Sequence, residues 1–283
     1  LTDVQAPRSG GLGAHSPEVA AAKARRWGAF YYAEQVLRVM KNYAWSMLMY
    51  SVGQPVAYLF AMGVGLATLV DSQDAAAFGG VSYLTFIAPA LLVSAAVMTA
   101  ANEFTFPVMA GFKWRRTYFG PHASPLTPSQ IAAGHIMAVT LRLLLQSAIY
   151  FAAVAMFGAT PHGGAWLGIL AATLAGLSFG LPLMAYSASI TEDKGQFALV
   201  MRLIVMPLFL FSGTFFPLDT LPLALRWIGW ISPIWHGTEL GRVAGYGYGE
   251  PPLLTMVHVA VLAGLAIVGW ILTRRRFEKR MGQ

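Results

Sequence analysis

The sequence predicts an all-α integral membrane protein with six transmembrane helices, an N-terminal amphipathic helix and short external re-entrant helices between the fifth and sixth spans. Three observations lead there. Of 283 residues, 57% are hydrophobic and only 11% charged, and the mean hydropathy is +0.58, too apolar for a soluble domain. The apolar residues gather into runs long enough to cross a hydrocarbon core of about 30 Å. Threading those runs through a membrane puts fifteen of the nineteen Lys and Arg residues on one face. A two-domain soluble enzyme is excluded, and the absence of cysteine removes disulfides, Cys-ligated zinc, iron–sulfur clusters and thiol nucleophiles.

Residues 1–23 hold no apolar signal core and read as a polar, disordered cytoplasmic tail. Over 24–43, Trp27, Phe30, Ala33, Leu37 and Met40 recur at spacings of three and four, while Arg25, Arg26, Glu34, Arg38 and Lys41 fall mostly elsewhere around the helix. This predicts an amphipathic helix on the membrane surface, read equally as a simple anchor or as a transmitter of force to the first span. Spans are expected at 44–70, 82–101, 129–157, 164–190, 197–212 and 253–273. An even number leaves both termini on one side. The basic residues of the tails and of the 102–128 and 191–196 loops place that side in the cytoplasm. The fifth run is short, contains Pro207 and breaks at Ser212-Gly213 and Phe215-Phe216-Pro217. Leu221-Pro222 then opens an amphipathic stretch with Arg226, Trp227 and Trp230, so 213–252 is predicted to fold as short helices at the outer leaflet. Residues 274–283 form a basic cytoplasmic tail. No internal repeat relates the two halves, which denies support to an inverted-repeat carrier.

No phosphate-cradling G-x-x-x-x-G-K-[ST] is present, so ATP that drives this chain must be bound by another subunit. Neither H-E-x-x-H nor G-x-S-x-G occurs, and the six histidines are scattered. His236 and Glu239, three apart, read as an interfacial polar contact rather than half a metal site. The run from Val243 to Gly249 invites comparison with a potassium filter. Arg242 beside the ion path, Ala244 within the run and Glu250-Pro251-Pro252 after it favour a glycine-rich turn outside the membrane. The 102–119 segment interleaves three cations with large aromatics. Composition alone makes it an ordinary positive-inside loop; the functional reading is a short docking helix whose exposed aromatics and cations enter a partner's groove. Arg142 is expected near mid-membrane, where an unpaired cation costs about 2.5 to 3.5 kcal/mol. Gln146, one turn on, is its expected companion, in a hydrogen-bond anchor inside the bundle or a substrate headgroup contact.

The order TFPVMAGFKWRRTY at 105–118, then SPLTP at 124–128, together with SGTFFPLDTLPLALRWIGWISPIWHGTELGR at 212–242, resembles the permeases of ABC-2 type (type V exporter-like) ABC transporters, in the branch of nodulation-factor and daunorubicin-type drug exporters. The resemblance covers about 43–273. Its second motif is the more specific one, because Ser212, Gly213, Phe216, Pro217 and Pro222 keep fixed offsets between spans five and six. Gly120-Pro121-His122 departs from the more apolar helical run of relatives and bears on where the docking helix ends. The resemblance implies a connecting helix at 24–43, an ABC-2 transmembrane domain over 44–273, and a coupling helix at about 111–119. That coupling helix would seat on a separate ATPase subunit through Phe112, Lys113, Trp114, Arg115, Arg116 and Tyr118. Two ATPase subunits and two permeases, either two copies of this chain or this chain with a related one, would form the transporter. This chain would bind no cofactor itself, with ATP and Mg held on the partner subunit, and no nucleic acid or metal is implied.

Charge sign and a shared membrane face make Glu103 with Arg38 or Lys41 an expected ionic link between coupling and connecting helices. A wide, greasy path for an amphiphile points to Tyr50, Tyr58, Met62, Met98 and Phe209, with Arg142 as a headgroup contact, although each apolar one also serves as plain packing or lipid-facing bulk. The expected function is export of an amphiphile (drug, lipid or glycolipid) across a bacterial plasma membrane, with no catalytic residue in this chain. The alternative is an ion-coupled carrier or channel needing no ATPase. That class wants buried acids along a path, whereas the acids here sit near span ends or in loops. A lipid-modifying enzyme finds no organised acid, base or metal set.

Overall fold

The computed structural model describes residues 17–49, 53–66, 78 and 80–282, and no strand occurs among them. The chain opens with α1 (Pro17–Lys41), α2 (Ala44–Leu48) and α3 (Gln54–Phe60), the last running into a π-helical turn at Ala61–Leu66. Next comes α4 (Tyr83–Glu103), which bends at Phe104-Thr105 into α5 (Phe106–Lys113), followed by α6 (Phe119–His122) and α7 (Pro128–Met156). Then follow α8 (Leu167–Ser189), α9 (Gln196–Phe211), α10 (Leu223–Trp230), α11 (Pro233–Tyr246) and α12 (Pro252–Met281). Four of these helices, α4 with α5, α7, α8 and α12, are long and apolar enough to cross a membrane.

Local chemistry explains where the spans start and stop. Ser82 accepts from the Thr85 amide at 3.3 Å to cap α4. Thr127 and Gln130 form a reciprocal capping box before α7, with Pro128 at the first helical position, where its missing N–H costs nothing. Gln130 also donates from its Nε2 to the Arg25 carbonyl at 2.6 Å, so one side chain caps α7 and fixes α1. The two helices lie so close that a Cβ on Gly134 would collide with the Ala29 carbonyl oxygen. At the other side of the bundle α12 runs along α8, with Gly269 against Pro182 and the Thr273 hydroxyl donating to the Leu181 carbonyl at 3.0 Å. Small residues at such crossings let backbones approach where lipid supplies no hydrophobic drive. The core sits between α4, α7, α8, α11 and α12, around Ile87, Val93, Leu143, Met184 and Leu262, all buried.

Several boundaries differ from the sequence reading. Residues 17–23, expected in the disordered tail, are the first turns of α1; residues 1–16 lie outside the described ones. On α1 the buried residues are Gly28, Tyr32 and Ala33, whereas Trp27 and Phe30 point away from the bundle, because the face is chosen by contact with α7. The expected first span appears as α2, α3 and the π-helical turn, with 50–52 and 67–70 outside the described residues. The fifth run gives α9, interrupted by a π-helical turn at Met201–Val205 and shorter than the roughly 20 residues a span needs. The basic tail is no loose end: α12 continues through Met281, with Phe277 and Met281 buried. Between α9 and α12, a 3₁₀ turn at Leu218–Thr220 with α10 and α11 forms a cap at the end of the bundle opposite Lys113.

Candidate functional site

At the basic end, the chain between α4 and α7 forms a compact reversal. The Trp114 and Arg115 amides both donate to the Ala110 carbonyl, at 3.1 and 2.8 Å, and close α5. Arg116 sits at φ 51°, a left-handed conformation in a non-glycine residue, and turns the chain back toward the bundle. The helix expected over 111–119 is therefore two short helices with a turn between them. The reason is the seating of Tyr118: a Cβ on Gly111 would collide with its ring, whereas one straight helix would put these residues about 10 Å apart along the axis.

This reversal sorts the six expected docking residues into two sets. Phe112 and Tyr118 are 4% and 1% exposed, with ring centroids 4.7 Å apart, and the Tyr118 hydroxyl lies 3.3 Å from His135 Nδ1. Burial holds that phenol well above its ordinary value. These two anchor the turn and are not available to a partner, a correction to their expected role. Trp114, Arg115 and Arg116 are exposed and Lys113 is half-exposed, its ammonium 5.4 Å from the Trp114 ring. They present a continuous cationic and aromatic tip.

Glu103 also departs from expectation. Its carboxylate accepts from Arg142 Nη1, and both side chains are largely buried. Arg38 pairs with Glu34 on its own helix at 2.6 Å, and Lys41 is exposed at the end of α1. The link to Arg38 or Lys41 is corrected accordingly: Glu103 ends α4 beside α7, and Arg142 is the cation within reach. Gln146 donates to the Ala95 carbonyl at 3.4 Å.

At the opposite end, the motif residues after α9 build the polar interior of the cap. Ser212 donates to the Ser232 hydroxyl at 2.6 Å, joining the end of α9 to the N-cap of α11. Gly213, at φ 71°, turns its carbonyl to accept from Arg242 Nη2 at 2.7 Å. The other arm of Arg242 donates to Glu239 at 2.7 Å, and its guanidinium lies 3.8 Å from the Phe86 ring centroid. Phe216 and Pro217 are half-buried, and Pro222 precedes α10 at its N-cap. Arg226 is spent on the Leu221 and Asp219 carbonyls. Of these residues Phe86, Pro217, Arg226, Glu239 and Arg242, with Phe78, Trp230, Trp235, Tyr246 and Tyr248, border a cavity of about 550 Å³. The run after Val243 ends α11 with Gly247 in the left-handed C-cap conformation, which agrees with a turn.

His236 is drawn into a buried chain rather than paired with Glu239. Its Nε2 lies 3.0 Å from the Trp230 carbonyl, its Nδ1 is 2.6 Å from His258 Nδ1, and His258 Nε2 is 2.9 Å from Glu250. A carbonyl only accepts, so His236 Nε2 carries hydrogen and its Nδ1 accepts from His258. Burial and the neighbouring His258 bring His236, which lies outside the four spans, down to about 4. Among the described residues, no three His, Asp or Glu side chains stand together as a metal site.

Of the expected path residues, Tyr50 lies outside the described residues, and the others do not border the cavity. Tyr58 is exposed, Met62 and Phe209 pack against the main core, and Met98 packs on a small cluster of Ala101, Leu183 and Val205. Sequence reasoning passed over Glu239 with Arg242, Glu250 with His258, and Phe277 with Arg280. The i, i+3 spacing of Glu239 and Arg242 was legible, as was the stripe Leu262, Gly269, Thr273, Phe277 and Met281 running into the basic tail.

The sequence pattern of the ABC-2 type transporter family matches residues 34–246. Nodulation protein J of Rhizobium leguminosarum bv. viciae is 26% identical over 245 residues, covering 85% of this chain and 90% of that protein. Nodulation protein J of Rhizobium meliloti (strain 1021) is 24% identical over 267 residues, covering 93% and 97%.

Proposed function

The chain belongs to the ABC-2 type transporter family, and from that premise we propose that it is the membrane-spanning permease subunit of an ATP-driven exporter. The observation that carries this reading is the tip formed by Lys113, Trp114, Arg115 and Arg116, exposed and cationic while Phe112 and Tyr118 hold it from within. A rigidly backed basic and aromatic tip suits docking into a groove of a partner protein. The partner is an ABC ATPase subunit, which supplies ATP and Mg that this chain has no phosphate loop to hold. Two such subunits would serve two permeases, with membrane lipid around them. The apolar side chains exposed on α9, among them Leu203 and Met206, and on α2 and α3, among them Trp45 and Phe60, provide surface for lipid and for the second permease.

The cargo is an amphiphile, a drug, lipid or glycolipid, moved outward across a bacterial plasma membrane with both termini of the chain inside. Six spans follow if α2 with α3, and α9, complete crossings in the assembled transporter. ATP binding by the partner would bias a two-state permease through the docking turn, and no bond chemistry falls to this chain. The test is mass spectrometry of what copurifies with the tagged chain from its native membrane. A stoichiometric Walker-type ATPase, lost when Arg115 and Arg116 are replaced by Glu, is the expected result. A chain that comes out alone and moves solute in liposomes would overturn the proposal in favour of an ion-coupled carrier or channel.

A further inference from the structure

The docking tip is backed by a part of the chain that its composition presents as a solvated tail. Past the apolar stretch of α12, the helix continues through RRRFEKRM, and within it Phe277 is fully buried and Met281 nearly so. The Phe277 ring stands edge-on to Phe112 at 4.8 Å and to Tyr118 at 5.1 Å, wedged against the two anchors of the turn. Arg280 lies with its guanidinium 4.4 Å from the Phe112 ring centroid, while its Nη1 donates to the Ala188 carbonyl at 2.7 Å. That carbonyl belongs to the last turn of α8, where helix carbonyls have no partner within the helix and a cation is favoured. One arginine thus ties the end of α12 to both α8 and the turn. Arg274 pairs with Glu278 at 2.8 Å on the exposed side of α12, so the inward groups are Phe277, Arg280 and Met281.

The other end of the same helix is tied as firmly. Glu250 just before α12 and His258 within it continue through His236 to the Trp230 carbonyl, reaching α11 and α10 in the cap. Between these ends α12 is one unbroken helix of 30 residues, about 45 Å long. A stiff element held at one end by the turn and at the other by the cap moves both together, and the packing of α12 on α8 leaves sliding or tilting as one body.

We propose that Phe277 and Arg280 are positioning residues that seat the docking turn on α12, and that α12 carries displacement of that turn to the cap at the opposite end. The proposal rests on the functional reading only for the source of the displacement. The seating itself is a property of this chain and can be measured without a partner.

Because the chain has no cysteine, single labels can be placed without background. A nitroxide on Arg115→Cys, in the full chain in nanodiscs, reports the order of the tip. A second nitroxide on Leu145→Cys, an exposed residue of α7, serves as control. Phe277→Ala and Arg280→Ala are expected to mobilise the label at 115 several-fold while leaving the one at 145 unchanged, and Phe277→Tyr is expected to keep the tip ordered. A general loss of structure would move both labels, and an unmoved label at 115 in the Phe277→Ala/Arg280→Ala double variant would overturn the seating. For transmission, a fluorophore on Tyr248→Cys at the rim of the cap is followed in the copurified complex on adding Mg-ATP. The signal change is expected in the unsubstituted chain and lost in Phe277→Ala with the ATPase still bound. No change in the unsubstituted complex, or the same change in Phe277→Ala, would overturn α12 as the carrier. Absence of any copurifying ATPase would instead overturn the functional reading, and transmission with it, while the label at 115 still decides the seating.

Discussion

Replacing Glu103 by Gln should be among the most damaging single changes in this chain, and Arg142→Met the milder of the pair. Both side chains are mostly buried, at 13% and 16% exposed, so water contributes little to either charge. Removing one partner of a buried pair costs about 3–5 kcal/mol, because the survivor is left uncompensated. The two survivors are not equivalent. Arginine cannot shed its proton, so Glu103→Gln leaves a fixed, largely buried cation facing a neutral amide, at a cost of up to about that figure, or at most about four decades in the unfolding equilibrium. A carboxylate left alone can take up a proton, which limits Arg142→Met to about 1–3 kcal/mol, the desolvation cost of an unsatisfied neutral group. The double variant Glu103→Gln/Arg142→Met removes both charges and should fall within about 1 kcal/mol of the parent, since apolar replacement of a buried pair is often neutral or better. Equilibrium unfolding in mixed micelles, followed by tryptophan fluorescence, gives the four corners of the cycle. A coupling energy of at least about 2 kcal/mol is expected. Additive single effects, or a double variant as unstable as Glu103→Gln, would refute the reasoning that this pair is a buried, mutually dependent unit.

Other consequences divide anchors from contacts. Tyr118→Ala should cost about 3–5 kcal/mol in the same unfolding assay by emptying the space under the turn, whereas Tyr118→Phe, which loses only the contact with His135, should cost about 0.5–1.5 kcal/mol. Gly134→Ala should loosen α1 from α7 at a cost of about 1–3 kcal/mol, read as faster proteolysis within α1 than within α8, because the new methyl has the Ala29 carbonyl in its place. Stability should also depend on pH through His236. Its folded value of about 4 lies below the ordinary 6.5, so the unfolded chain binds more protons between those values and stability falls as pH drops through that window. His258 and Glu250 face it, and His236→Asn should flatten this part of the profile while leaving stability above pH 7 less affected than His258→Ala does.

How much of this was legible depended on whether a feature is local. The helices α4, α7, α8 and α12 follow from apolar runs bounded by Ser82, Thr127 with Gln130, and Pro251-Pro252, and each of those signals is read over a few neighbouring residues. The motif after α9 was also readable as a break, since Ser212-Gly213 and Phe216-Pro217 cannot continue a helix. The inward or outward direction of Phe112 and Tyr118 was not readable, because it is fixed by Phe277, which lies more than 150 residues further along the sequence. The partner of Glu103 was missed for a similar reason. Charge sign and a shared membrane face point to Arg38 or Lys41, and only the packing of α4 on α7 brings Arg142 to Glu103 instead. The same holds for His236, whose nearest acid in sequence is Glu239 but whose partner in space is His258.

The distribution of burial gives the permease reading its mechanical sense. Within its apolar window, α4 is 78% buried and α8 56%, while α12 is 17% buried. A helix so lightly enclosed is held mainly by its seam with α8 and by its two polar or aromatic ends. It keeps a buried pair of histidines at one end and a half-buried cation against an aromatic ring at the other, although each polar group taken from water needs a partner to offset its desolvation. An outer helix needing only lipid contact would carry neither. The polar ends are where α12 meets the cap and the docking turn, so the groups that are expensive to bury stand where one end of the molecule must stay in register with the other. By contrast α9 and the segment from α3 through Leu66 are both interrupted by π-helical turns and rich in exposed apolar side chains, and ring contacts such as Phe197 with Tyr186 and Phe60 with Phe157 join them to their neighbours. On the proposed reading, these surfaces would repack against lipid or a second permease while the α4, α8 and α12 body moves as a unit.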